Sequence, residues 1–246
     1  MDFKHIILTA FNVGLYDRKK VGRRTIKAWF DHRVVVFKKY TLASIMNQTN
    51  KNFIWEILFD TDTPKEHQDI IEELYKIDNV SIRFTSKKKS REEKVNERGI
   101  AMRKLVGTSS NIITTRIDND DAFNINAIEY IQDQFKKCDP SIDNSVNFLT
   151  GLIVVDKPKE KRIFKIGLSS NAFVSLMEPI KESTIKTVKH VKHTLIRCRS
   201  KIANIHRDKN MWIHFVHGHN VENSIAGREI YEVKESFGFD MGEFQK

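Results

Sequence analysis

Apolar residues in this chain gather in short runs that end at polar positions, and the runs alternate between two periods. Residues 5–12 (His-Ile-Ile-Leu-Thr-Ala-Phe-Asn) begin apolar and turn polar, which predicts a buried strand whose C-terminal end meets a site. Residues 16–24 are basic and polar and read as a loop. Between 29 and 46 the apolar positions recur at mixed spacing; the second half is predicted helical, stopping at Asn47-Gln48-Thr49-Asn50. Residues 53–59 form a dense apolar run, hence a strand, ending at Asp60-Thr61-Asp62-Thr63-Pro64. Thr63 before a proline starts a helix that carries Ile70, Ile71, Leu74 and Tyr75 at helical spacing. A short strand at 80–84, a basic loop at 87–91 and a helix at 92–106 follow. A strand at 111–117 then leads to Asp118, and a helix covers 127–135.

Strand and helix alternate throughout this stretch, which predicts an α/β fold with a mostly parallel central sheet flanked by helices. Such sheets bind ligands at the C-terminal ends of their strands, so Asn12, Asp60 and Asp118 are expected at one edge. After about residue 145 the alternation lapses. Two strands, 147–156 and 162–166, flank a Lys-Pro-Lys-Glu-Lys turn and predict a small C-terminal β-hairpin and helical part. Residues 181–209 are strongly basic, with His190 and His193 three apart; 211–216 is a last apolar run before His217-Gly218-His219-Asn220. Residues past 237 are expected to fray. Without a repeat or a low-complexity linker, the expectation is one domain. Its nucleotide-binding half spans about 1–122, its acceptor-side half about 123–236 and its tail 237–246.

Composition narrows the class. The chain has 246 residues, 40% hydrophobic and 30% charged, enough to bury a full core. Two cysteines, Cys138 and Cys198, build neither a disulfide framework nor a zinc site. No apolar stretch reaches the roughly 18 residues of a membrane span, and the first apolar run is shorter than a signal-peptide core. A reducing, cytoplasmic compartment is expected. The net charge of +10 draws an anionic partner without choosing among nucleic acid, lipid headgroups and nucleotides.

Thr115-Arg116-Ile117-Asp118-Asn119-Asp120-Asp121 carries the strongest chemical signal. Three carboxylates in four residues repel one another unless a cation offsets them, and hard divalent ions take oxygen ligands of this kind. The alternative is an acidic turn capping the helix that starts near Phe123. Asp60 could accept from a base imide or ribose hydroxyl, or cap the next helix. Gly99 and Arg103, one turn apart, could approach a diphosphate, or lie on a solvated helix face. His217 could close a metal shell, or be a polar turn residue, and His190 with His193 fit a basic solvated face best.

Together these segments resemble inverting glycosyltransferases of the GT-A type, a Rossmann-like fold. More narrowly, Phe59-Asp60-x-x-Thr63-Pro64, Asp118-Asn119-Asp120-Asp121-Ala122 and Met211-Trp212 followed by His217-Gly218-x-Asn220 are similar to a bacterial rhamnosyltransferase family, over residues 5–223. The resemblance implies a nucleoside-diphosphate-sugar donor and Mn²⁺ or Mg²⁺. It places Thr9, Ala10 and Phe11 around the nucleotide base, Asp60 on the base and Arg103 on the diphosphate. Asp118 falls on the ribose or on water held by the metal, Asp120 on the metal with Asp121 as a second candidate, and His217 as the C-terminal ligand. Glu178 is the candidate general base. A glycan or lipid-linked acceptor is implied, with peripheral contact at the inner face of an anionic membrane through the basic stretches. A sugar-1-phosphate nucleotidyltransferase is disfavoured because Asn12-Val13-Gly14-Leu15 is not glycine-rich. The alternative is a basic module that binds nucleic acid or anionic membrane without catalysis; for nucleic acid it is disfavoured because aromatics do not interleave with the basic runs.

Overall fold

The computed structural model describes residues 2–16, 25–86, 88–181, 185–189, 193–196, 200–205, 208–218 and 224–245. His190, Cys198, His219 and Asn220, the basic stretch 17–24 and the side chain of His193 lie outside the described residues.

The first half alternates as its pattern predicts. β1 (Phe3–Ala10), β2 (Ile54–Asp60), β3 (Val80–Thr85) and β4 (Asn111–Arg116) run parallel, in the spatial order β4-β1-β2-β3. The inner strands β1, β2 and β4 are buried on both faces because both are covered, whereas the edge strand β3 is half-buried. Ile7, Trp55, Ile57 and Ile113 pack against one helical layer: α1 (Ile26–Val36), α3 (Asp69–Tyr75) and α5 (Ala127–Phe135). Ile6, Leu8 and Ile112 meet Met102 and Val106 of α4 (Arg91–Val106) on the other face. Local signals set the helix starts. The Thr25 hydroxyl accepts from the Ala28 amide, and Ser90 and Glu93 bond each other's amides in a capping box. The helix expected only toward residue 46 begins at Ile26. It passes through a π-helical stretch, Phe37–Leu42, into α2 (Ala43–Met46).

Beyond β5 (Ala122–Phe123) and α5 the chain builds more sheet than its sequence suggests. β6 (Asn144–Phe148), β9 (Ser175–Pro179) and β10 (Lys201–Ile205) extend the central sheet to seven strands, with β9 inserted antiparallel between β4 and β6. The expected hairpin is β7 (Thr150–Lys157) with β8 (Glu160–Gly167). It belongs to a second, five-stranded sheet with β11 (Trp212–Val216), β12 (Arg228–Ile230) and β5. α6 (His193–Ile196) is a single turn. The stretch past 237 does not fray: Phe237, Met241 and Phe244 are buried with Tyr40 and Phe215, and Glu243 pairs with Lys39. Apolar side chains two to four residues apart give that segment its own purchase on the core.

One glycine sets the position of β11. A Cβ on Gly151 would stand 2.1 Å from the Trp212 ring. The bare backbone admits the indole, which stacks on Phe173 with centroids 4.8 Å apart and donates to the Phe148 carbonyl at 3.0 Å. β11 thereby lies beside β5, just past the acidic cluster.

Candidate active site

The cluster is held by strand register. β5 and β11 pair antiparallel through Ile213 opposite Ala122 and Trp212 opposite Phe123, so the next step brings His214 to Asp121. His214 Nδ1 lies 2.9 Å from Asp121 Oδ1, and the Phe215 amide donates to the same oxygen at 3.4 Å. Three residues on, His217 Nε2 stands 3.2 Å from Asp120 Oδ2, while its Nδ1 is 3.2 Å from His32 Nε2. From the other side Arg33 of α1 forms an ion pair with the same Asp120 oxygen and donates to Asn119 Oδ1 at 3.2 Å. Asn119 in turn donates to the Phe11 carbonyl at 2.6 Å. Asp118, 38% exposed, takes a bidentate pair from Arg116.

The electrostatics follow from these contacts. Burial alone would favour the neutral acid at Asp120, but Arg33 and His217 outweigh it and hold the carboxyl down to about 2. Burial pushes Asp121 up to about 6 against the opposing pull of His214. The Asp121 charge, outweighing partial burial, lifts His214 to about 9. The repulsion expected among the three carboxylates is therefore offset, one by one, by cations of the chain itself.

A cavity of about 150 Å³ opens over the other face of the same strand ends. Leu8 and Ala10 of β1, Glu56 and Leu58 of β2, and Arg83 and Thr85 of β3 form its floor; Lys94 and Arg98 of α4 and Lys189 close over it. Glu56 is buried and engaged bidentately by Arg83 at 2.8 and 3.2 Å. Lys94, Arg98 and Lys189 therefore dominate the charge. Burial pushes Lys189 down to about 8, with Arg116 and Arg98 adding to it and Asp118 opposing. That influence of Asp118 ties the cavity to the acidic corner.

Only some of the sequence-predicted residues meet here. Ala10 faces the cavity. Thr9 and Phe11 face away: Thr9 Oγ1 donates to the Ile117 carbonyl and accepts from Trp55 Nε1, each at 3.0 Å, while Phe11 packs among Phe30, Phe37 and Phe59. Strand alternation permits one set or the other, never all three. Asp60 is taken up by its own loop, accepting from the amides of Gly14 at 2.6 Å and Asp62 at 2.9 Å. Arg103 donates to the Lys181 carbonyl at 3.0 Å, at the helix surface. It lies five residues beyond Arg98, about 140° around the helix from the cavity face. Asp121 is engaged by His214, and of the residues expected around a metal only Asp120 and His217 come together. Among the described residues no group of three or more His, Cys, Asp or Glu side chains is arranged to hold a metal ion.

Glu178 is at the wrong end. β9 runs against β4 with Glu178 opposite Ile112, six residues before Asp118, roughly 20 Å along a strand. Burial raises its pKa, and both its oxygens accept backbone amides, from Lys186 at 2.7 Å and Thr187 at 2.8 Å. Sequence reading missed Arg33, His214, Arg98 and Lys189. Arg33 had a signal: it interrupts an apolar helical stripe through Trp29, Phe30, Val36 and Phe37, where a charge needs a buried partner.

The fold is that of the α/β proteins that place their ligands at the carboxyl ends of the sheet strands. Over residues 19–229 the chain matches the family described as "Putative rhamnosyl transferase", and it belongs to that family. It is a glycosyltransferase. Among solved structures it is similar to mouse xyloside xylosyltransferase 1 in its apo form, at 10% identity and TM-score 0.35, covering 81% of this chain and 78% of that one. It is likewise similar to 2-C-methyl-D-erythritol 4-phosphate cytidylyltransferase of Francisella tularensis, at 9% identity and TM-score 0.35, covering 90% and 94%. At that score neither likeness bears on what the chain does. Nothing among the curated proteins matches it.

Proposed function

We propose that this glycosyltransferase takes a sugar, rhamnose by the family's description, from a nucleoside diphosphate and passes it with inversion to a hydroxyl of a glycan or lipid-linked acceptor. The observation that carries the reading is the pair Asp120 Oδ2 and His217 Nε2, 3.2 Å apart past the end of β4, in a sheet whose strands β1 to β3 carry a cationic cavity. Two ligands on one hard cation at about 2.1 Å stand about 3 Å apart, so the pair fits Mn²⁺ or Mg²⁺. The His32 contact to the other nitrogen of His217 is the kind of support that fixes a ligating imidazole. Such ions take one or two protein ligands and complete their shell with water and phosphate. When bound, the metal supplies positive charge to the leaving diphosphate.

The residues of the chain do the rest. Arg33 gives up Asp120 and keeps its stacking on Trp29, where the guanidinium already lies 4.7 Å from the ring centroid. Lys94, Arg98 and Lys189 take the charge of the nucleotide, with Ala10 beneath it and Asp118 against the ribose. Asp121 holds His214 and with it the course of β11 toward His217.

Thermal stability against UDP, dTDP and GDP, with and without Mn²⁺, tests the reading. The expected result is a metal-dependent rise with one nucleotide, abolished in His217→Ala. No rise with any nucleotide would overturn it. A lipid-linked acceptor would further bring the basic surface to an anionic membrane; flotation with phosphatidylserine vesicles at low salt checks this, and absence of binding there would remove it. No helix among the described residues is long and apolar enough to cross a membrane.

A further inference from the structure

The most elaborate local construction outside the acidic corner surrounds residues 185–189, which have no regular secondary structure and yet are tightly fixed. The Glu178 carboxylate, 2% exposed, receives the consecutive amides of Lys186 and Thr187, one on each oxygen. Successive amides turned toward one anion form a nest. Thr187 takes the left-handed conformation, φ 64°, unusual for a β-branched residue and tolerated only where the surroundings impose it. The next amide, Val188, donates to Thr114 Oγ1 of β4 at 2.8 Å. The Ile185 and Val188 side chains are buried with Ile6, Leu8 and Met102. The residue that emerges from this fastening is Lys189, delivered into the cavity opposite Arg98 and Glu56.

A loop needing only to be satisfied would not require a buried carboxylate, a left-handed threonine and a strand hydroxyl in succession. We propose that Glu178 is the positioning residue of the cavity: it holds residues 185–189 in the one course that places Lys189 where the donor's diphosphate binds. Glu178 touches no substrate; it acts through Lys189 from the opposite end of β4. This rests on the reading of the cavity as the donor's phosphate site.

Inorganic pyrophosphate is the probe, titrated calorimetrically in EDTA so that the cavity is read without a metal at the Asp120–His217 pair. Lys189→Met is expected to weaken pyrophosphate binding tenfold or more. Glu178→Ala is expected to weaken it severalfold, and the double variant no more than Lys189→Met alone, because the two act through one cation. Glu178→Gln keeps the shape and one acceptor oxygen, so it carries the test if the alanine variant fails to fold, and is expected to give a smaller loss than the alanine. If Lys189→Met binds as wild type, the phosphate reading of the cavity fails. If Lys189→Met loses affinity while Glu178→Gln and Glu178→Ala retain it, or if the losses add, Glu178 is only a fastener and the positioning role is overturned.

Discussion

The carboxylates past β4 and the cations over β1 to β3 lie within each other's electrostatic reach, yet the fold treats them oppositely. At the acidic corner two carboxylates are paired from distant elements: Arg33 and the His217 ring on Asp120, His214 on Asp121. Asp118 alone takes a near neighbour, Arg116. In the cavity Arg83 pairs with Glu56, the only carboxylate among the described lining residues, and Lys94, Arg98 and Lys189 line it as well. One region carries its counter-charges within the chain; the lining of the other has more cations than carboxylates among the described residues. Under the proposed function a donor's diphosphate would meet the second region, and a metal would enter the first by exchange with Arg33.

Breaking the pairing at the acidic corner should have the largest effect. Asp120→Ala strands the buried guanidinium of Arg33. Loss of one partner of a buried pair costs about 3–5 kcal/mol, so urea unfolding should show a drop of that order. The double variant Arg33→Met/Asp120→Ala should recover most of it while remaining inactive. A single variant as stable as wild type would mean that the pair carries little weight.

The comparison sharpens if the corner is disturbed without touching a charge. Gly151→Ala pushes a methyl into the Trp212 ring, and overpacking of this kind costs about 1–3 kcal/mol. Because β11 carries His214 and leads directly into His217, transfer should fall more than stability predicts, while pyrophosphate binding in the cavity stays unchanged. Equal losses at both places would show that the two regions are not separately built.

The smallest effect is a titration. His214 has its folded pKa raised to about 9 by Asp121, above its unfolded value, so its contribution is complete below about pH 6.5 and is lost as pH rises through 9. The ring is partly exposed, so the loss should be on the order of 1 kcal/mol after solvent screening, about 2–4 °C in Tm between pH 7 and 9.5. His214→Gln should flatten that decline; an unchanged profile would remove His214 as its source.

How much of this was legible in the sequence depends on the range of the cause. The parallel strands follow from dense apolar runs, and the acidic cluster from its charge density just past one of them. The face of β1 was not legible: both sides of the strand are apolar, so alternation gives no parity, and Thr9 and Phe11 were expected where only Ala10 lies. The helical phase of α4 decides between Arg98 and Arg103, and nothing in a solvated, basic helix reveals it. His214 hides inside an apolar run whose partner strand is two residues long. Glu178 was misplaced because β9 enters the sheet backwards, a long-range pairing without a local signature.

The short pairing of β5 with β11 makes the acidic corner a matter of counting. Every residue between Ile117 and Ala122 has its place fixed from both ends, by β4 on one side and by Trp212 seated over Gly151 on the other. Deleting or inserting one residue there would turn the carboxylates to the opposite faces and present the histidines with the wrong side chains. The loop excursion between α5 and β6, residues 136–143, is under no such rule. Related sequences should therefore vary in length through that excursion and keep the short span from Asp118 to Phe123 at constant length.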